Sequence, residues 1–480
     1  MSHDLIKIHQ GSMNILEKTG IRLDHPEVIE IVKRNGIKTA GEVAYFTENQ
    51  VMHWVGKAPQ CFTVYARNPQ YNMTFGADHI EFAPGYGAPM MADFDGVKRS
   101  AFFKDYINLV KLVHQSSFFN VNGGILVQPA DLHPNHSFPL MLYTAITLSD
   151  KCLMGGAGGF EESEIVMDML GITFEGKEFL PEKPRILGLI STSSPLQLSK
   201  KSLETILVFA KYGQPVIISP APMAGTTGPI TLAGHLVLAN AEALAGIVVT
   251  QMIRESTPVI YGVQGSNADM RTCCSCAGSP DSALIVAYCA RLAKMYGLPC
   301  RSGGIKNDAK SIDVQSGYES MMLLMVSCQE KINFIIHSAG ILDTFMAMSY
   351  EKFIVDLEII GMLKHFLKDI QIDEDRLGFD VINEVGPCGE FLTTTHTLKF
   401  LHSEHWMPAI SLRGTMLPYE KPQEKIKTNI LKKKEAMLKS YQRPEIDVST
   451  IRYLEKYLNL LGVNSELLSG TDVFTEKSTF

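Results

Sequence analysis

Two polar side chains follow neighbouring predicted strands in the last third of the chain. Arg301 opens the string R-S-G-G, and His337 opens the string H-S-A-G. An arginine beside glycine-rich backbone is a natural anion site, because guanidinium and exposed N–H groups together bind phosphate or a carboxylate. A structural salt bridge at Arg301 and a hydrogen-bonded core histidine at His337 are the alternative interpretations. If both strands end at one edge, the two side chains point into the same mouth.

Aromatic residues gather on the predicted loops that would surround this mouth. They are Tyr86, Phe94, Tyr261, Phe345 and Tyr350. Aromatic faces attract quaternary ammonium groups through cation–π contact. Core packing explains any one of them equally well. Several of them beside an anion-binding arginine would suit a zwitterion with a cationic head and a carboxylate tail.

A cluster of thiols is the first of three candidate metal groups. Cys273, Cys274 and Cys276 lie together in one predicted loop. Thiolates can bind zinc and activate a second thiol. However, adjacent side chains diverge in a C-C-x-C string, and the same loop contains no histidine. Small side chains that line a pocket are therefore the alternative.

The other two candidates contain histidines. Asp131–His136 reads D-L-H-P-N-H and resembles the D-x-H-x-x-G signature that presents a histidine to cobalt. His136 occupies the glycine position, so we reject a cobalt site there. The second group is formed by His396, His402, Glu404 and His405. Its spacing could serve a metal, or the segment could be a polar plug over the mouth of a barrel.

The elements that must position these residues alternate regularly from about residue 79. A short apolar strand, a Gly/Pro/Ser loop and an amphipathic helix recur eight times. The predicted strands are Ile80–Pro84, Phe119–Leu126, Cys152–Ala157, Ile186–Thr192, Val216–Pro220, Val259–Val263, Pro299–Gly303 and Phe334–Ser338. The predicted helices are Phe102–His114, Pro139–Ser149, Glu161–Leu170, Lys200–Tyr212, His235–Arg254, Ser282–Tyr296, Val314–Gln329 and Phe353–Asp369.

This alternation predicts a parallel sheet, and eight units are the number that closes a (β/α)8 barrel over residues 79–370. The alternative is an open doubly wound sheet, but no G-x-G-x-x-G string follows a strand. The loops after strands five to seven are long, as expected of loops that carry chemistry. Residues 1–78 are predicted to form an N-terminal cap. Residues 371–480 are predicted to form a C-terminal extension that covers the barrel and ends in helices.

Composition excludes several classes of function. The 480 residues carry a net charge of -7, so neither nucleic acid nor an anionic membrane is an expected partner. The sequence shows no signal peptide, and its longest apolar stretch, His235–Met252, is typical of a buried helix. Nine cysteines without a secretion signal indicate a reducing compartment, which we take to be the cytoplasm.

Several long strings resemble one known family, the trimethylamine methyltransferase superfamily. They are G-Y-G-A-P at Gly85–Pro89, Y-G-V-Q-G-S-N-A-D-M-R at Tyr261–Arg271, L-P-C-R-S-G-G at Leu298–Gly304, D-A-K-S-I-D-V-Q-S-G-Y-E at Asp308–Glu319 and T-H-T-L-K-F-L at Thr395–Leu401. The resemblance implies a TIM barrel that demethylates a methylated amine. The methyl would pass to the Co(I) cobalamin of a separate small corrinoid protein, with no cofactor held permanently by the barrel. It also suggests a homo-oligomer.

The founding enzymes of that family carry pyrrolysine, whereas this chain contains only the twenty standard residues. It therefore resembles the branch that acts on quaternary amines such as glycine betaine, proline betaine, carnitine or γ-butyrobetaine. A quaternary ammonium already carries its charge and leaves as a neutral tertiary amine. The reaction then needs mainly positioning of the methyl over cobalt, and we assign no catalytic acid or base.

The resemblance also implies roles for individual residues. Arg301 and His337 would contact the substrate carboxylate, whereas Tyr86 and Phe345 would line the ammonium pocket. Tyr261, Asp308, Asp313 and Glu319 are further candidate contacts, the three acids as electrostatic partners of the ammonium. A zinc-thiolate methyltransferase that uses the cysteine cluster and a barrel that binds betaine without catalysis remain the competing interpretations.

Overall fold

The computed structural model describes residues 3–156, 158–419 and 421–463. Its helices are α1 His3–Lys18, α2 Pro26–Arg34, α3 Glu48–Val55, α4 Phe103–Gln115, α5 Pro134–Leu148, α6 Phe160–Thr173, α7 Lys200–Lys211, α8 Leu232–Ile253, α9 Pro280–Met295, α10 Val314–Gln329, α11 Tyr350–Phe366, α12 Glu374–Leu377, α13 Phe379–Val385, α14 Thr395–Glu404, α15 Pro422–Lys439 and α16 Val448–Leu460. Two 3-10 turns lie at Pro69–Tyr71 and Lys177–Phe179.

The strands are short. They are β1 Ile21–Leu23, β2 Lys38–Ala40, β3 Val43–Tyr45, β4 Phe62–Val64, β5 Met73–Phe75, β6 Glu81–Phe82, β7 Met90–Ala92, β8 Lys98–Ser100, β9 Val121–Gly123, β10 Cys152–Met154, β11 Ile186–Ser191, β12 Gln197–Leu198, β13 Val216–Ser219, β14 Met223–Ala224, β15 Val259–Tyr261, β16 Ser266–Asp269, β17 Cys274–Cys276, β18 Phe334–Ile335, β19 Ile341–Leu342 and β20 Ala347–Met348.

A parallel sheet in the order β15-β13-β11-β10-β9 forms the middle of the molecule. β18 pairs in parallel with β6, and single parallel bridges continue the pairing. These bridges join Phe82 to Phe119, Tyr261 to Cys300 and Arg301 to Phe334. The strands are almost wholly buried, as expected of parallel strands with helices packed over them.

The predicted alternation of parallel strands and helices is confirmed, with local differences in extent. The seventh predicted strand, Pro299–Gly303, pairs only through bridges at Cys300 and Arg301. α5 begins at Pro134 instead of the predicted Pro139, which lies inside the helix. A proline in the first turn lacks only an N–H that has no partner there, so Pro134 is well placed to start the helix.

The N-terminal residues pack directly onto the helices of the parallel sheet. The Ser12 hydroxyl in α1 donates to the Val237 carbonyl of α8 at 2.8 Å and accepts from the Asn240 amide at 2.9 Å. β1 pairs in parallel with β12. Apolar side chains of α1 to α3 belong to the same hydrophobic cluster as the strands. α3 was not anticipated, although Thr47 and Gln50 form a capping box, which is a helix signal readable in the sequence.

One helix has the length and hydropathy of a membrane span, and it is α8. It lies buried against α1, α3, α7 and α9, so the described chain uses it as a core helix. After α11, the small helices α12 to α14 form a largely exposed segment. α15 then packs back against α4 and α11.

Candidate active site

Arg301 and His337 lie side by side at the carboxyl ends of two neighbouring parallel segments. Both are buried, and the Arg301 Nη2 atom is 3.4 Å from the His337 Nε2 atom. The loop after Arg301 turns sharply at Gly304, whose φ is +99°. A Cβ atom there would lie 1.9 Å from the Ile336 carbonyl oxygen, so only glycine fits this approach between the two segments. The predicted convergence of the two side chains is therefore present.

The two facing nitrogens are both hydrogen-bond donors. His337 Nδ1 accepts from the Tyr86 backbone N–H at 3.2 Å, so a neutral ring carries its proton on Nε2. Burial, followed by the charges of Arg301 and Lys306, holds the pKa of His337 well below its usual range, which keeps the ring neutral. Two donors cannot satisfy one another, so both N–H groups can still donate to an acceptor such as a carboxylate.

The rest of the Arg301 guanidinium is only partly satisfied by the protein. Nη1 donates to the Ser219 hydroxyl at 2.9 Å and to the Gly262 carbonyl at 3.4 Å. Nε is buried without a hydrogen-bond partner among the described residues. Burial lowers the pKa of Arg301 to about 9, so the group stays charged at neutral pH without a carboxylate beside it. Burying an unpaired cation of this kind lowers the stability of the fold unless an anion pairs with it.

The rings of Tyr86 and Phe345 both pack against the His337 ring. The ring centroids are 6.1 Å apart for Tyr86 and 4.8 Å apart for Phe345, both in edge-to-face geometry. Phe345 follows Asp343 and Thr344 in a run of three residues with positive φ, a costly conformation for residues with side chains. The Tyr86 hydroxyl is buried, and no described residue hydrogen-bonds to it. The two aromatic rings thus lie beside His337, one of the two donors.

Asp308 connects three of the loops around this site. Its carboxylate accepts from the backbone N–H groups of Ala277 and Gly278 at 2.9 and 3.1 Å, and from the Thr344 hydroxyl at 2.6 Å. These partners belong to the loops after the sixth and eighth parallel segments, while Asp308 follows the seventh. Asp308 therefore positions the loop that carries Phe345.

A cavity of about 350 Å³ opens between these loops, with Phe345 in its wall. Its other lining residues are Ala221, Met223, Thr227, Gln264, Gly265, Ser266, Ser275, Ala277 and Lys306. Both polar atoms of the Gln264 side chain are buried without a partner among the described residues. Lys306 is buried too, and burial, with the nearby charge of Arg301, lowers the pKa of its amine to about 7. The cavity thus offers polar groups that a ligand would complete.

Sequence reasoning missed Gln264 and Lys306. Both stand inside or beside strings that resembled the family, but a lysine or glutamine in a loop is ordinarily solvated. The signal available was their position, directly after the sixth and seventh parallel segments, where barrel loops carry function.

The remaining predicted contacts lie apart from the donor pair. Tyr261 points into the helix layer, where its hydroxyl donates to the Asn240 side chain at 2.8 Å. Asp313 caps the start of α10 by accepting from the Ser316 N–H at 2.9 Å. Glu319 accepts from the Asp308 N–H at 2.8 Å and so supports the loop that carries Asp308.

Two further aromatics on the predicted loops serve local contacts. The Phe94 ring lies under the Lys427 amine of α15, 4.7 Å from its centroid. The Tyr350 hydroxyl donates to the Asp105 carboxylate at 2.9 Å. Neither is among the residues that line the cavity beside Phe345.

The candidate metal groups do not form a compact ligand set. Among the described residues, no three His, Cys, Asp or Glu side chains come close enough together to hold a metal ion. Cys273 and Cys274 are exposed on the hairpin of β16 and β17, and Cys276 is half-buried there. In the segment of α14, Glu404 pairs with Arg376, and His396 contacts the Asp375 carbonyl. His133 is the residue before the first turn of α5, and its ring is tilted against that of His136, with the centroids 5.1 Å apart.

The chain is similar in sequence to known methyltransferases. The sequence pattern of the family described as trimethylamine methyltransferase (MTTB) matches residues 1–460. A glycine betaine methyltransferase of Desulfitobacterium hafniense (strain Y51) is 42% identical over 452 residues, covering 94% of each chain. A proline betaine:corrinoid methyltransferase of Eubacterium limosum is 28% identical over 469 residues, covering 95% of this chain and 96% of the relative.

Solved structures give a likeness in fold. The hydroxylamine complex of MtmB covers 90% of this chain and 93% of its own, with a TM-score of 0.52 at 9% identity. The Methanosarcina barkeri monomethylamine methyltransferase, MtmB, gives a TM-score of 0.50 at the same identity. These enzymes share an arrangement of parallel strands and helices with the present chain.

Proposed function

Because the chain belongs to the trimethylamine methyltransferase family and is a methyltransferase, we propose that it removes one methyl group from glycine betaine. The acceptor would be the Co(I) cobalamin of a separate corrinoid protein in the cytoplasm. The observation that carries the proposal is the pair of facing donors, Arg301 and His337, beside a cavity walled by Phe345. A curated relative with 42% identity is named for glycine betaine.

The scaffold in this proposal is a closed (β/α)8 barrel. The parallel pairing runs from β9 to β15, passes through Cys300 and Arg301 to β18, and returns through β6 and Phe119 towards β9. Closure would bring the loops after all eight segments to one mouth, the usual location of a barrel active site. Residues 1–78 then act as a cap that supports the helix layer.

The carboxylate of the substrate is expected to complete the two buried donors. One oxygen would accept from Arg301 Nη2 and from His337 Nε2, which now face each other unsatisfied. Lys306 and Gln264 would add polar contacts from the cavity wall. Each charge-assisted hydrogen bond contributes about 1.5–3 kcal/mol when its donor is buried. Binding would therefore remove the cost that the empty pair imposes on the protein.

The trimethylammonium end would lie against the faces of the Tyr86 and Phe345 rings. Cation–π attraction favours a quaternary ammonium there, and no buried carboxylate is needed as a partner. The C–N bond of one methyl then breaks, its electron pair stays on nitrogen, and a neutral tertiary amine, dimethylglycine, is left. The acceptor's electron pair forms the new bond to carbon. The chain's own contribution is to hold the substrate at both ends and exclude water.

A substrate panel tests this assignment. The chain, a reduced corrinoid protein and each candidate amine are mixed, and methylation of cobalt is followed by absorbance. The panel holds glycine betaine, proline betaine, carnitine and γ-butyrobetaine, together with tetramethylammonium and dimethylglycine as matched controls. Tetramethylammonium lacks the carboxylate, and dimethylglycine lacks the quaternary charge.

We expect the fastest transfer from glycine betaine and transfer at least tenfold slower from either control. If a larger betaine is the fastest substrate, the proposed methyl transfer stands, but glycine betaine is not the substrate. Equal rates with tetramethylammonium would contradict the role of the donor pair. Tight binding of glycine betaine without transfer to any corrinoid protein would instead favour a betaine-binding barrel without catalytic activity.

A further inference from the structure

The cavity beside Phe345 contains one side chain whose hydrogen-bonding groups the proposed substrate cannot fully satisfy. Gln264 lines this cavity and is only 8% exposed. Both polar atoms of its side chain are buried without a hydrogen-bond partner among the described residues. The Nε2 atom donates and the Oε1 atom accepts, so a ligand completes this amide only if it offers both an acceptor and a donor.

The other polar side chains of the cavity wall differ from Gln264 in this respect. The hydroxyls of Ser266 and Ser275 lie 2.6 Å apart and hydrogen-bond to each other. The Thr227 hydroxyl accepts from a backbone N–H of its own turn at 2.8 Å. The charged amine of Lys306 only donates. Among the polar residues that line the cavity, Gln264 is therefore the one whose donor and acceptor are both unpaired in the described chain.

The backbone around Gln264 is anchored on both sides. The Gln264 N–H donates to the Pro220 carbonyl at 2.7 Å. At the next residue, Gly265, a Cβ atom would overlap the ring of His235, which is fully buried against this backbone. β16 then begins and pairs with β14 and β17. These contacts hold the Gln264 side chain at the cavity wall.

Glycine betaine can satisfy only part of this wall. Its carboxylate oxygens accept hydrogen bonds, and its quaternary ammonium has no N–H to donate. It can therefore accept from Gln264 Nε2 and from Lys306, but it offers nothing to Gln264 Oε1. The cavity is also larger than a small betaine requires, since about 350 Å³ lies in the range of sites that enclose drug-sized ligands. A second group, with an N–H donor, fits beside the substrate.

A primary carboxamide is the group that matches the glutamine side chain. Its N–H donates to Oε1 while its carbonyl accepts from Nε2, which makes two parallel hydrogen bonds. The corrin ring of cobalamin carries such carboxamides on the arms around its edge. The Phe345 ring lies 4.8 Å from the His337 ring and also lines the cavity. A carrier that brings cobalt to a substrate held at Arg301 and His337 therefore brings the corrin edge close to this cavity.

We propose that the cavity is a subsite for a carboxamide arm of the corrin, and that Gln264 is the residue that recognises it. This inference rests on the proposed function, because the corrin arrives on the corrinoid protein. Ala221 and Thr227 are exposed at the outer part of the cavity, whereas Gln264 and Lys306 are buried in its wall. An arm that enters from the surface reaches the amide, while Lys306 stays available to the substrate carboxylate.

Binding of methylcobinamide, a free corrinoid that keeps the carboxamide arms, tests the proposal without catalysis. Equilibrium dialysis with the full chain gives its Kd from the corrin absorbance. Gln264→Met keeps the length of the side chain but removes donor and acceptor, so the Kd should rise roughly fivefold or more. Gln264→Glu keeps an acceptor for the carboxamide N–H and should raise the Kd less. Gln128→Met is the matched control and should keep the wild-type Kd, because Gln128 is exposed outside the cavity and already donates to the Gly87 carbonyl at 2.7 Å.

The kinetics of methyl transfer separate the corrin arm from the substrate. Gln264→Glu places a negative charge near the substrate carboxylate, so it should raise KM for glycine betaine more than Gln264→Met does. Gln264→Met should raise KM for the corrinoid protein more. A wild-type chain that does not bind methylcobinamide, or Gln264→Met with the wild-type Kd, would overturn the subsite while methyl transfer still supported the proposed function. Corrinoid binding that depends on Gln264, without methyl transfer from any betaine, would support the subsite and overturn the proposed function.

Discussion

The two ends of this molecule are incomplete in opposite ways. At the mouth, the polar atoms Arg301 Nε, the Tyr86 hydroxyl and the Gln264 amide are buried without partners in the described chain. In the segment 366–407, which we call the arm, apolar side chains such as Ile370 and Leu392 are exposed to solvent. Burying a polar group without a hydrogen-bond partner costs free energy, and so does exposing an apolar group to water.

The two regions call for different ligands, a small molecule at the mouth and a protein at the arm. A small charged molecule can satisfy buried polar groups in and beside a 350 Å³ cavity, but it cannot cover a dozen apolar side chains. A protein surface can cover the arm but cannot enter the cavity. The variants below change the mouth and its loops and leave residues 366–407 untouched.

Removing the charge of Arg301 should have the largest effect on activity. Arg301→Gln keeps a polar side chain, but it is shorter and uncharged and so removes a charge-assisted contact with the substrate carboxylate. Truncating one partner of a buried charged hydrogen bond costs about 2–5 kcal/mol, so kcat/KM for glycine betaine should fall roughly 30- to 5,000-fold. Methyl transfer to the corrinoid protein measures this.

Tetramethylammonium supplies the control for that variant, because it has no carboxylate for Arg301 to bind. Any slow transfer from it should be nearly the same in both proteins. A variant with wild-type kinetics on glycine betaine would show that Arg301 does not contact the substrate.

Replacing Lys306 should move stability and activity in opposite directions. Lys306→Met removes a buried amine for which burial lowers the pKa to about 7, so the variant should be more stable by about 1–3 kcal/mol at pH 7. Its KM for glycine betaine should rise several-fold, because a polar contact in the cavity is lost. Thermal unfolding and methyl-transfer kinetics measure the two effects.

The sign of the pH dependence sharpens this prediction. The folded pKa of Lys306 lies below the usual 10.5, so the unfolded chain binds more protons between about pH 7 and 10.5. The contribution of Lys306 to stability therefore rises with pH across that window. The stability difference between wild type and Lys306→Met should be largest near pH 7 and vanish near pH 10.5. A difference independent of pH would mean that the amine is not buried as a titrating group.

The burial of Lys306 is a feature that the sequence alone did not predict. The alternation of strands and helices could be predicted because burial on parallel strands leaves continuous apolar runs such as Val216–Ser219. Arg301 and His337 could be placed together because neighbouring parallel strands end at one edge. The burial of Lys306 could not be predicted, since its environment is assembled from loops distant in sequence.

The direction of some side chains and the packing of the C-terminal segment were also not predictable from the sequence. Tyr261 was predicted at the mouth, but its side chain points towards α8. Side chains alternate between the two faces along a strand, so a shift of one residue reverses the direction. Residues 371–480 were predicted to form an extension that covers the barrel and ends in helices. In the described chain, α12 to α14 are largely exposed and α15 packs against α4 and α11.

Asp308 is expected to matter less for activity than Arg301, because it acts on the site only through loop position. Asp308→Asn retains one acceptor oxygen but points an N–H group at donors that now share a carboxylate. The loop of Phe345 should loosen, with kcat/KM roughly tenfold lower and faster proteolysis of residues 264–280. Asp269→Asn, which changes a carboxylate that caps its own turn in the hairpin, is the control and should leave kcat/KM near wild type. Unchanged kinetics in Asp308→Asn would show that the loop is positioned by other contacts.

The cysteine cluster should have the smallest effect of all. Replacing Cys273, Cys274 and Cys276 together by serine should change kcat/KM less than twofold, because Cys273 and Cys274 are exposed and the Cys274 thiol contacts only the nearby Thr272 carbonyl among the described atoms. Serine preserves the size of each side chain and the hairpin that carries them. Metal analysis of both proteins, alongside the kinetics, decides between the two chemistries. A tenfold loss of activity together with the loss of stoichiometric zinc would establish a zinc-thiolate site and move the reacting group from the donor pair to the hairpin.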